Sequence, residues 1–99
     1  MNEETVLRFI RQIIVNSDTG LQGVLALKEM EGILSKQDCP ETYLELIRKA
    51  MTGLESHEAT VKREITSSAM LSAEALEKAV IRAHEEKIRQ EEMAKNGRC

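Results

Sequence analysis

The chain is expected to fold as a small all-α bundle of four or five helices with a long charged C-terminal helix, and three observations carry that expectation. Apolar residues recur at three- and four-residue steps over most of the 99 positions. The core must be aliphatic, because Phe9 and Tyr43 are the only aromatic residues beside many Leu, Ile and Val and five Met. Turn-forming residues are sparse, with one Pro and five Gly, whereas strand-rich domains draw more heavily on aromatic, β-branched and turn residues.

The first helix is placed at about 3–16. Val6, Phe9, Ile10, Ile13 and Ile14 fall on one helical face, and Glu3 and Glu4 lie where the helix dipole favours carboxylates. Leu7 and Val15 lie off that face, so this helix is apolar over more than half of its circumference. Asn16-Ser17-Asp18-Thr19-Gly20 reads as a turn, with Ser17 or Asp18 as the cap of a second helix at about 19–35. The stripe of that helix is Leu21, Val24, Leu25, Lys28 by its stem, Met30 or Glu31, and Leu34, with Leu27 and Ile33 beside it. Gly23 and Gly32 interrupt it and cost about 1 kcal/mol each relative to Ala. Close approach of another helix is the preferred reason for both.

Asp38 followed three positions later by Glu41 has the spacing of a capping box, with Pro40 in the first turn. A third helix therefore runs from about 39 to 53, with Tyr43, Leu44, Ile47, Met51 and Leu54 inward and Gly53 as its end. Residues 1–54 thus make a compact three-helix core.

Beyond residue 54 the apolar content thins to nine large side chains, among them Met70 and Met93, which suit an interface as well as a core. A seam remains at Val61, Ile65, Ala69, Ser72, Leu76, Val80 and Ala83, the rhythm of one long helix or of a pair broken near 66–72 with Ser72 as the second cap. Glu58–Lys62, Glu74–Lys78, Glu85–Arg89 and Glu91–Lys95 are favourably spaced ion pairs. Past Ala83 only Ile88 and Met93 are large and apolar, so this 55–95 segment should project in part from the core, and 96–99 is a tail with Asn96-Gly97 as the cap. The whole chain reads as one helical domain.

Little in the sequence resembles catalytic chemistry. His57-Glu58 and His84-Glu85 begin strings like the zinc-protease HExxH motif, but the fifth positions are Val61 and Ile88, so no second ligand follows. Cys39 near a helix start with His57 is the nearest approach to a nucleophile and base, and a loop or first-turn cysteine without a role is the preferred reading. The glycines form neither a dinucleotide fingerprint nor a phosphate loop, and adjacent acids such as Glu85-Glu86 point about 100° apart on a helix. No catalytic, metal or cofactor residue is therefore assigned, and no small-molecule substrate is expected.

The net charge of −3 gives no general attraction to nucleic acid or to an anionic membrane. The opening lacks the pattern of a signal peptide, no apolar run approaches a bilayer span, and two isolated cysteines suit a reducing compartment, so a cytoplasmic location is expected. The leading expectation is a non-enzymatic interaction module, a self-associating adaptor or regulator of a larger protein. A homodimer is expected, held by the leftover apolar face of Val61, Ile65, Leu76, Val80, Ala83 and Ile88, with Leu7 and Val15 as a second candidate patch. The alternative is a small helical nucleic-acid-binding regulator that uses Lys36, Arg48, Lys49, Lys62 and Arg63.

Overall fold

The computed structural model describes residues 2–68 and 70–96, with the side chains of 95 and 96 left out. All secondary structure among these residues is helical: α1 Glu3–Asn16, α2 Gly20–Ser35, α3 Glu41–Ser67 and α4 Ala73–Asn96. The described residues span 54 × 26 × 23 Å. Met1, Ala69 and 97–99 lie outside them, and with these the expected Ala69 seam position and the Gly97 cap.

Each helix start has a local cause. Asn2 caps α1, its side-chain oxygen accepting from the Thr5 N–H at 2.9 Å. The cap of α2 is Thr19, one or two positions beyond the expected Ser17 or Asp18; its hydroxyl accepts from the Gln22 N–H at 3.2 Å. Gln22 returns the favour by accepting from the Asp18 N–H at 3.0 Å. Ser17 instead closes the end of α1, donating to the Ile13 carbonyl. The Asp38–Glu41 capping box does not form. Asp38 takes a left-handed φ of 50°, a conformation that Asp tolerates, and Pro40 holds the cap position of α3 with no side-chain hydrogen bond.

The third helix does not end at Gly53. It continues to Ser67, with one residue, His57, out of helical conformation (φ −161°, ψ 96°). Two straight segments, 41–56 and 58–67, therefore meet at an elbow. Along a continuous helix residues 53 and 61 would be about 12 Å apart. Here a Cβ at Gly53 would lie 3.1 Å from Val61 Cγ2 and 3.1 Å from Val80 Cγ2. Gly53 is thus the inner corner where α4 enters the bend. Gly23 is a second close approach, since a Cβ there would lie 2.8 Å from Leu54 Cδ1. Gly32, for which the same reason was expected, has nothing within 4 Å of the corresponding position.

Of the two alternatives for the C-terminal half, one long helix or a pair broken near 66–72, the broken pair is present, and Ser72 caps the fourth helix by accepting from the Ala75 N–H at 3.1 Å. One continuous core joins Val6, Ile10 and Ile14 of α1, Leu27 and Leu34 of α2, Leu44, Ile47, Val61 and Ile65 of α3, and Leu76, Ala79 and Ala83 of α4. α3 is the hub: α1, α2 and α4 all pack on it.

Candidate functional site

The expected interface residues do not form an outward face. Val61, Ile65, Leu76 and Ala83 are fully buried and Val80 is half-buried, because α4 turns back on the second segment of α3 and the two sides of the seam cover each other. Ile88 alone of the six is exposed, at 42%. Periodicity identified the residues that leave water, and the covering surface belongs to the same chain. Leu7 is likewise buried, whereas Val15 is exposed. Met70 and Met93 are exposed.

Ile81 of α4 is exposed as well, and the remaining exposed large apolar side chains lie on the two N-terminal helices. Leu21 (69%), Leu25 (57%), Ile33 (53%) and Phe9 (49%) all face solvent. On α2, Gly23, Leu27 and Leu34 point into the core. At 100° per residue, Leu25 and Gly32 point almost directly away from it. Ile33, Ala26 and Met30 then descend toward α1, where Phe9 and Ile13 form the facing wall of a groove of about 270 Å³. Glu29 and Gln37 are the polar residues on its border. A helix that is apolar on every side is normally buried on every side. α2 comes near that composition with half of its surface in water.

Of the five bases of the nucleic-acid alternative, Arg48 and Lys62 are engaged within the chain. Arg48 bridges two helices, donating to Glu31 and Glu41, each at 2.7 Å. Its pKa is raised above the ordinary arginine value, first by the hydrogen bond to Glu41 and then by that to Glu31. Lys62 donates to the Ser17 carbonyl and lies 3.8 Å from Glu58. Lys36, Lys49 and Arg63 are exposed and form no ion pair among the described residues. A second interhelical pair, Arg82 on Glu64 at 2.7 Å, ties α4 to α3, and the Glu64 hydrogen bond raises the arginine pKa.

The expected pairs Glu58–Lys62 and Glu74–Lys78 are present, at 3.8 and 3.7 Å. Arg89 pairs with Glu86, one position from the expected Glu85. Glu91–Lys95 lies outside the described side chains.

Among the described residues, His57, His84 and Cys39 do not assemble into a reactive cluster. His57 Nδ1 accepts from the Thr60 N–H at 3.2 Å and lies 2.9 Å from the Thr60 hydroxyl, while Nε2 lies 3.1 Å from the Gln90 amide. This imidazole therefore acts as the helix cap of the second α3 segment. No sequence rule singled it out, because His is not a preferred cap. Cys39, the thiol paired with it in the sequence reading, donates instead to the Leu34 carbonyl at 3.2 Å. Among the described residues no group of three or more His, Cys, Asp and Glu could hold a metal ion, and no helix is long and apolar enough to cross a membrane. No protein-family description, curated protein or solved structure matches the chain.

Proposed function

We propose that this chain is a non-enzymatic protein-interaction module whose contact face is the outer side of α2 together with the α1–α2 groove. Through this face it forms a homodimer and regulates or adapts a larger protein. The observation that carries the reading is a helix apolar around most of its circumference with Leu21, Leu25 and Ile33 left in water beside Phe9. Half-exposed side chains of this size present on the order of 100 Å² each. Four of them, with the half-buried Ile13, Ala26 and Met30 of the groove, approach the apolar share of a standard interface of roughly 800 Å² per partner. A lone surface leucine needs no explanation, but several large apolar side chains on one helix beside an apolar groove support a binding surface, with Gln22, Lys28 and Glu29 as its polar part.

The test is size-exclusion chromatography with light scattering from roughly 1 µM to 1 mM, where weak association shows. The wild type should move from monomer to dimer across the series. Leu25→Asp should remain monomeric with unchanged far-UV circular dichroism, because that side chain supports no internal packing. A wild type that is monomeric throughout would remove self-association from the reading. A dimer indifferent to Leu25→Asp and Ile33→Asp would move the interface off α2.

A further inference from the structure

The elbow of α3 suggests a second way for two copies to meet, independent of the α2 face. Only His57 departs from helical geometry within 27 residues, and the segment around it, Glu55-Ser56-His57-Glu58-Ala59-Thr60, contains neither Pro nor Gly. Local sequence therefore does not demand the bend. What holds it is a short set of contacts between the two sides. His57 caps the second segment through the Thr60 N–H and lies against Gln90 of α4. Lys62 donates to the Ser17 carbonyl at the α1–α2 turn. Val80 fills the corner at Gly53, and Glu58 packs on Gly20.

The second segment and α4, as a hairpin, pack on each other more extensively than on any other element and are tied by Arg82 on Glu64, while Ile65 and Leu76 also belong to the core shared with the first three helices. If His57 became helical, α3 would run straight, and the hairpin would swing away as a unit. The seat it left is one that the hairpin of another copy fits, since every contact is remade with the same residues of the second chain.

We propose that His57 is a hinge at which the hairpin of residues 58–96 exchanges between two copies of the chain, and that the imidazole cap holds the closed, monomeric form. Substitution that removes the cap acceptor favours the continuous helix and hence exchange. Substitution by a stronger cap does the reverse.

The geometry supplies its own reporter. A Cβ at Gly53 would lie 3.6 Å from Val80 Cα, close enough for a disulfide after Gly53→Cys and Val80→Cys. With Cys39→Ser and Cys99→Ser as background, the closed form links these positions within one chain, and the exchanged form links them between chains. The protein is refolded at high concentration, oxidised, and read on a denaturing non-reducing gel. His57→Ala should raise the share of covalent dimer by roughly fivefold per copy, the effect of a lost helix cap, and His57→Asp should lower it below the wild-type hinge. If His57→Ala does not keep its helicity, the wild-type hinge against His57→Asp decides alone. Links confined to single chains in every variant would overturn the proposal. So would dimers in solution that run as monomers on the gel, an outcome that leaves association through α2 intact.

Discussion

The same substitution at two positions of α2 should have opposite effects. Gly23 and Gly32 both weaken a helix by their freedom in the unfolded chain, and alanine at either recovers about 1 kcal/mol. At Gly32 nothing lies within 4 Å of the added methyl, so the gain stands in full. At Gly23 the methyl would meet Leu54 Cδ1 at 2.8 Å and the Ser17 hydroxyl at 3.2 Å. Leu54 is buried, and Ser17 is tied to the Ile13 carbonyl, so neither yields freely. Overpacking of a filled core costs about 1–3 kcal/mol, which exceeds the gain at the middle of that range. Gly32→Ala should therefore raise the urea midpoint by roughly 1 M, and Gly23→Ala should lower it by a similar amount. In thermal melts the two should separate by about 10 °C for a domain of this size. Both are measured at low concentration, where association does not contribute. Equal stabilisation by the two substitutions would refute the close approach of α2 to α3 at Gly23.

Two further perturbations separate burial from appearance in the sequence. Ile65 and Ile88 lie on similar apolar beats, yet Ile65→Ala should cost about 2–4 kcal/mol in urea unfolding and Ile88→Ala under about 0.5 kcal/mol, because only the first is enclosed. Ser72→Ala should lose about 1 kcal/mol by removing the cap of α4, and Ser72→Asp should recover most of it, read as helicity and midpoint together.

Much of the fold was legible because helical periodicity is local. The bounds of α1 and α2, the break before α4 and the capping role of Ser72 all follow from residues a few positions apart. The misreadings share a cause of the opposite kind. Gly53 has the chemistry of a helix end, but in the folded chain it serves packing, giving Val80 and Val61 room to close on it. His57 has no bend-forming character of its own, and the tertiary contacts of the elbow select it. The Asp38–Glu41 spacing fits a capping box, yet Asp38 is spent on the left-handed turn that leads out of α2.

The candidate site was legible only in part. The seam residues Val61, Ile65, Leu76, Val80 and Ala83 do pack together, but periodicity carries no information on which surface covers them. For α2 the periodicity puts Leu21 and Leu25 on the stripe expected to be buried, yet both are exposed, as is Ile33 beside them. Placing them in water required knowing that α3 takes one side and that no described residue covers the other.

The hub arrangement also bears on how the chain leaves the ribosome. α4 makes its substantial helix contacts with α3 alone, and it follows the other three helices in the chain. The first three helices can therefore collapse while α4 is still in the exit tunnel, leaving Val61 and Ile65 briefly without their cover. During those seconds nascent chains on neighbouring ribosomes expose the same unfinished surface, and crowding of translation on one message sets how often they find each other before their own α4 arrives.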